Sequence, residues 1–329
     1  MSNREIVLKA FNNEEVGRVP VGFWFHFVVG DEFNQGAYRD EIIQKNIAGH
    51  KKFVNDFQPD FVKLMSDGFF AYPNNALANA ASMRELKNLE PIGEHHPWIE
   101  KQVRLVKELT DAFGKDTPTF FNIFAPATYV KFLLRGSEKK TTLEDYYKED
   151  PIGLKHVLDV IAEDIKVLSR RVITEGKADG IYVSVQNIPE IKKTDYLKII
   201  APSERTVLEE ANKVSAYNIL HICGFEGARN DLSLYVDYPA KAVNWAVTIE
   251  NVSLEEGKKL FGGRAVIGGF ANTVNDILYK GSREEIESVT EQLISKAGKK
   301  GIILGADCTI PSDIELNRLD WVRKKAARV

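Results

Sequence analysis

The chain has 329 residues, 44% of them hydrophobic, enough to bury a large core in one big domain or two ordinary ones. A formal net charge of −3 provides no basic surface of the kind that binds nucleic acid. No apolar run approaches a membrane span, and the opening Met1-Ser2-Asn3-Arg4-Glu5 lacks a signal-peptide core, so a cytoplasmic protein with no membrane partner is expected.

Taken in chain order, the first apolar run closed by turn residues predicts a strand at 19–27. A helix follows over 39–57, with Ile42, Ile43, Ile47, Phe53, Val54 and Phe57 three and four apart. A second strand is predicted at 61–67, then a helix over 97–113 through Trp98, Val103, Val106 and Leu109. Between them, 68–96 is rich in Pro, Asn, Gly and aromatics and is expected to form an elaborated loop over the mouth of the fold. A strand at 119–126 precedes a long helix over 151–174, which opens with Pro151 and repeats Leu154, Leu158, Ile161, Ile165, Leu168 and Val172. Strands at 180–186, 217–224, 242–247, 265–270 and 301–310 complete the set. Helices over 203–216, 253–261, 282–297 and 312–327 each open on a serine read as an N-cap. Ser253 and Ser282 have Glu256 and Glu285 three residues on, as a capping box requires.

This alternation predicts an α/β fold, a single-domain (β/α)8 TIM barrel over residues 1–329 with its elaborated loop after strand 2. A doubly wound open sheet is the alternative, but no Gly-x-Gly-x-x-Gly follows any strand. The basic clusters Lys139-Lys140, Lys192-Lys193, Lys299-Lys300 and Arg323-Lys324-Lys325 read as solvated helix faces.

Both cysteines of the chain fall at predicted strand ends. His221 and Cys223 are two residues apart, so a strand puts them on one face, and Cys308 reaches the same end of the barrel from the last strand. Two thiols and an imidazole suit zinc better than magnesium or calcium, and three ligands leave a fourth position open to a substrate. The plainer reading is two buried structural cysteines and a satisfied core histidine. His26 and Asp67 are candidate catalytic groups at strand ends, and Tyr182, Gln186 and Trp245 are candidate substrate contacts. Glu226, Glu250 and Asp307 are candidates for a displaceable fourth ligand, while Gly268-Gly269 reads as tight packing ahead of a phosphate site and His95-His96 as surface.

The run His221-Ile222-Cys223 followed much later by Cys308 resembles the zinc branch of the uroporphyrinogen decarboxylase superfamily, the methylcobamide:thiol methyltransferases of the coenzyme M type. Arg18-Val19-Pro20-Val21, Met65-Ser66-Asp67, Ala178-Asp179-Gly180-Ile181, Tyr238-Pro239-Ala240 and Asn244-Trp245 extend the resemblance along the chain. It implies Zn2+ on His221, Cys223 and Cys308, and a methylcobamide (corrinoid) cosubstrate on a separate carrier protein. The methyl group would pass to a small thiol, or the barrel would draw it from a methylated small molecule. The decarboxylase itself has two arginines for tetrapyrrole carboxylates where this chain has Phe25 and Val29. The competing expectations are a decarboxylase with an altered substrate, using Asp67, and a non-enzymatic barrel that binds a corrinoid or a metal.

Overall fold

Seven parallel strands form one sheet in sequential order: β1 (Val62–Leu64), β2 (Thr119–Phe124), β3 (Gly180–Gln186), β4 (Ile219–Cys223), β5 (Ala242–Trp245), β6 (Ala265–Phe270) and β7 (Ile302–Ala306). Parallel neighbours need crossovers, and helices supply them. The computed structural model describes residues 2–329 apart from 136–140, 187, 225, 226 and 228, so Lys139-Lys140 and Glu226 lie outside the described residues.

The expected first strand does not form. Residues 19–27 contribute one parallel bridge, Val21 to Leu304, in which Gly22 N–H donates to Leu304 and Leu304 N–H donates to Pro20. On the other side Asp60 N–H donates to Val21. The backbone donors of a regular ladder are missing here: Pro20 has none, and Val21 N–H goes to the Asp60 carboxylate at 2.8 Å. The sheet is curled, with residues 20–22 bonded to β7 on one side and to Asp60, just ahead of β1, on the other.

Two apolar layers flank the sheet. Outside, helices Asp40–Phe57, Pro97–Phe113, Pro151–Thr174, Ala201–Asn212, Arg283–Ala297 and Leu316–Ala326 bury their apolar stripes against it. Inside, Trp24, Phe61, Phe120, Tyr182, Ile219, Ile267 and Ile303 form a separate cluster. An unexpected N-terminal helix, Asn3–Phe11, closes the N-terminal end of this interior with buried Val7, Ala10 and Phe11, the Phe11 ring 5.3 Å from Phe120. Its start carries a capping box between Ser2 and Glu5.

From the stretch 68–96, Phe70 reaches the mouth and lines the cavity there. The stretch contains a helix, Asn75–Asn79, and a 3-10 turn, Met83–Leu86. Much of it packs outside the sheet against Pro151–Thr174, where buried Asp164 accepts from the Tyr72 hydroxyl and from Ile92 and Gly93 N–H. Capping boxes form at Ser253 and Ser282. Ser203 and Ser312 are not caps: helix Ala201–Asn212 runs on from a π-turn at Tyr196–Ile200, and Leu316–Ala326 starts after Glu315.

Candidate metal centre

β4 is flanked by β3 and β5, and the register sets Ser184 and Asn244 beside His221, and Gln186 beside Cys223. His221 and Cys223 face the curled interior, and Cys308 joins them from just beyond β7. The Nε2 of His221 and the two Sγ atoms all lie within 4.8 Å of one another. The sulfurs are 3.8 Å apart and not joined in a disulfide, and Cys308 Sγ is 3.5 Å from Nε2. A tetrahedral zinc, with bonds of about 2.3 Å to sulfur and 2.0–2.1 Å to nitrogen, would separate two sulfurs by roughly 3.8 Å and sulfur from nitrogen by roughly 3.5 Å. The sulfur–sulfur and Cys308–Nε2 separations match these values, and the donor set is one that suits the ion.

The tautomer of His221 fits as well. Buried Asn244 donates its amide hydrogens to the carbonyls of Ile267 and Ala306, which turns its Oδ1 towards His221 Nδ1 at 2.5 Å. That oxygen can only accept, so Nδ1 carries the proton and the Nε2 lone pair faces the sulfurs. Contact with Cys223 holds the Cys308 thiol well below its ordinary pKa against the effect of burial, and His221 and Lys63 act in the same sense.

A cavity of about 430 Å³ opens over the centre. One side is polar, with His221, Cys223, Cys308, Asn122, Ser184, Gln186 and Thr309. The other is a continuous aromatic wall in which the Phe70 ring lies 4.9 Å from Phe33, 4.6 Å from Phe124 and 5.5 Å from Phe132. His26 lies against this wall, its ring 4.9 Å from Phe33. His26 Nδ1 is 2.8 Å from the fully buried Asp67 carboxylate, whose other oxygen accepts from Phe27 N–H. From His26 Nε2 it is 3.5 Å to the Thr309 hydroxyl, which is 3.6 Å from Cys308 Sγ.

The structure thus brings His221, Cys223, Cys308, His26 and Gln186 to one cavity, with Asp67 behind His26. Tyr182 lies below it, fully buried, with its ring 5.9 Å from that of His221. Trp245 is elsewhere. It packs outward on Phe261 and donates Nε1–H to Val252, over Gly257, where an added Cβ would stand 2.1 Å from the indole ring. β strands alternate faces, and Asn244, not Trp245, shares the face of His221.

The fourth-ligand candidates are engaged otherwise. Asp307 accepts from Val247 and Thr248 N–H, and burial pushes its carboxyl up to about 6. Glu250 accepts from Asn230. Gly268 and Gly269 take φ of +147° and +117°, and a Cβ on Gly269 would stand 2.9 Å from Leu293, so the pair serves packing. His96 caps helix Pro97–Phe113, and His95 lies exposed beside Glu94 and Glu100.

Sequence reasoning missed Lys63. It lines the cavity, 4% exposed, with Nζ 4.2 Å from the Tyr182 ring and 5.1 Å from that of Trp24, and burial pushes its ammonium down to about 8. The signal was a lone cation inside the apolar run Phe61-Val62-Lys63-Leu64-Met65, where a parallel strand should be apolar throughout.

The sequence profile described as uroporphyrinogen decarboxylase (URO-D) matches residues 65–328. The chain belongs to the uroporphyrinogen decarboxylase family. Among solved structures, a methyltransferase from Methanosarcina mazei aligns with this family member over 100% of the chain and 99% of its own, with a TM-score of 0.69 and 15% identity, a likeness of fold. A B12-independent methionine synthase from Shewanella sp. W3-18-1, in complex with selenomethionine, aligns over 69% of this chain and 65% of its own, at 13% identity and a TM-score of 0.44. No curated protein sequence matches the chain.

Proposed function

We propose that this member of the family is a zinc-dependent methyltransferase, moving a methyl group from a methylcobamide on a separate carrier protein to a small thiol. The observation that carries the reading is the convergence of His221 and both thiols within 4.8 Å, the sulfur–sulfur and Cys308–Nε2 separations being those of a tetrahedral zinc and the tautomer of His221 set by Asn244. In this reading the chain works in the cytoplasm as one (β/α)8 domain, with residues 19–27 as the eighth stave. Among the described residues no helix is long and apolar enough to cross a membrane.

Bound at His221, Cys223 and Cys308, zinc would supply a Lewis acid at whose open position a thiol stays ionised and nucleophilic at neutral pH. The remaining work falls to the chain. Asp67 accepts the Nδ1 proton of His26 and leaves Nε2 as a base, and the Thr309 hydroxyl lies on the way from the centre to that nitrogen. Gln186, Ser184 and Asn122 offer hydrogen bonds to a polar substrate head. Phe33, Phe70, Phe124 and Phe132 keep water from the reacting sulfur. The corrinoid carries the difficult chemistry and is brought by its carrier to the mouth.

Decarboxylation of uroporphyrinogen is not expected. Phe25 packs on Phe53 and Val29 is exposed at the rim, and neither can form a charge-assisted bond to a carboxylate. The test is elemental analysis of anaerobically purified protein, followed by a cobalamin absorbance assay for Co(I) formation with a thiol present. One zinc per chain and thiol-dependent Co(I) support the proposal. A chain that takes up no zinc on titration, or that turns uroporphyrinogen into coproporphyrinogen, sinks it.

A further inference from the structure

Lys63 has no part in the reaction just described, yet its ammonium is among the most costly groups in the cavity. A cation buried without an anion loses its hydration, and two ring faces offset only part of that loss. The nearby carboxylates are occupied: Asp67 by His26 and Phe27 N–H, and Asp60 by Arg18 and Val21 N–H. Among the described residues Lys63 has no ion pair. A charge count at the centre gives this meaning. Cys308, Cys223 and Asp67 are the anionic groups whose field reaches Lys63. Two thiolates would balance the two charges of a bound zinc and Asp67 is taken up by His26 and Phe27 N–H, so a metal at the centre would remove most of the field that steadies the ammonium. An anion in the open position would restore it.

We propose that Lys63 is the charge partner of the ligand that enters the fourth position, so that the site selects a substrate bound as an anion, a thiolate, over neutral donors. The inference rests on the metal reading of the site and adds to it the charge of the occupant. On binding, the substrate S–H bond would break and the thiolate would take the open position that His221, Cys223 and Cys308 leave on a metal, the proton leaving through His26 to solvent with no electrons transferred. Lys63 touches neither that bond nor the metal. It acts as a positioning residue through its field, which the low-dielectric floor screens little.

The experiment uses the full chain loaded with cobalt(II), whose sulfur-to-metal absorption reports thiolate binding. Wild type, Lys63→Met and Lys63→Arg are titrated with 2-mercaptoethanol and, separately, with imidazole as a neutral ligand, and proton release is followed with an indicator dye. Wild type is expected to release about one proton per thiol bound. Lys63→Met is expected to bind the thiol about 10- to 100-fold more weakly, with imidazole binding unchanged. Lys63→Arg restores part of the thiol affinity. Circular dichroism and cobalt stoichiometry confirm that each variant is folded and loaded, and Lys63→Gln replaces Lys63→Met if that variant does not fold. Equal loss for thiol and imidazole makes Lys63 a packing residue and overturns the inference, as does unchanged thiol binding in a loaded Lys63→Met. A wild type that takes up no cobalt overturns the metal reading as well.

Discussion

The two walls of the cavity are built by different means. His221 and Cys223 stand on a central strand with ladders on both sides, Cys308 follows directly on β7, and Asn244 fixes the imidazole from the next strand. The aromatic wall comes largely from connections: Phe33 from the 3-10 turn Gly30–Asn34, Phe70 from the segment after β1, and Phe132 from helix Pro126–Arg135. Atoms that must meet at fixed distances sit where the backbone has least freedom. Side chains that only shape a space sit where the chain can be altered without disturbing the sheet.

The sharpest way to break this comparison is Cys308→Ala. It should cost at least about a hundredfold in zinc affinity, more than the loss of an outer partner, and abolish methyl transfer. The fold should survive, because the interior and outer apolar layers are built without His221, Cys223 or Cys308, and thermal melting with and without chelator checks it. A chain that unfolds with the metal would make the strand-borne wall a staple. Next in size, His26→Ala should lower turnover on the order of a hundredfold with zinc content unchanged, as loss of a proton acceptor does. Loss of zinc instead would put His26 on the metal side of the cavity. Asn244→Ala should follow, weakening zinc by about 10- to 100-fold by freeing the imidazole, read by competition with a chelating dye. On the other wall, Phe132→Leu should raise KM a fewfold and leave zinc affinity alone; a comparable metal defect there would erase the distinction.

The smallest effect on chemistry is expected outside both walls. Glu204 is buried under the hydroxyls of Tyr196 and Tyr238, and burial pushes its carboxyl from 4.5 up to about 6. The charged form is the disfavoured one, so the group costs stability as pH rises through 6 and costs none below 4.5. Glu204→Gln should therefore stabilise by about 2 kcal/mol at pH 7.5, lose that gain near pH 4.5, and leave turnover unchanged. Melting curves at the two pH values decide it.

The comparison also explains what could be read from the sequence. β3 and β6 coincide with their expected ranges, and β4 and β7 lie inside theirs, because continuous apolar runs closed by Gly or Asp mark buried parallel strands. The convergence of His221, Cys223 and Cys308 followed from period-two spacing on such a strand and from the scarcity of cysteine. The aromatic wall could not be read, since Phe33, Phe70 and Phe132 share no element and no periodicity. Trp245 was misplaced by one step of that same period. Residues 19–27 look like a strand by composition, but a diverted donor at Val21 is a tertiary fact, set by Asp60. Lys63 broke its strand's pattern in plain view, and a broken pattern inside a core strand points to function more often than to chance.

The helix Asn3–Phe11 closes the inner end of the fold, and its consequence is kinetic. Among the described residues a chamber closed below opens at the opposite end, and on the proposed reading the carrier must stand there. The small thiol then has to be seated before the carrier arrives, and its methylated product can leave only after the carrier withdraws. Initial-rate patterns should therefore show compulsory order, with carrier in excess trapping the product inside.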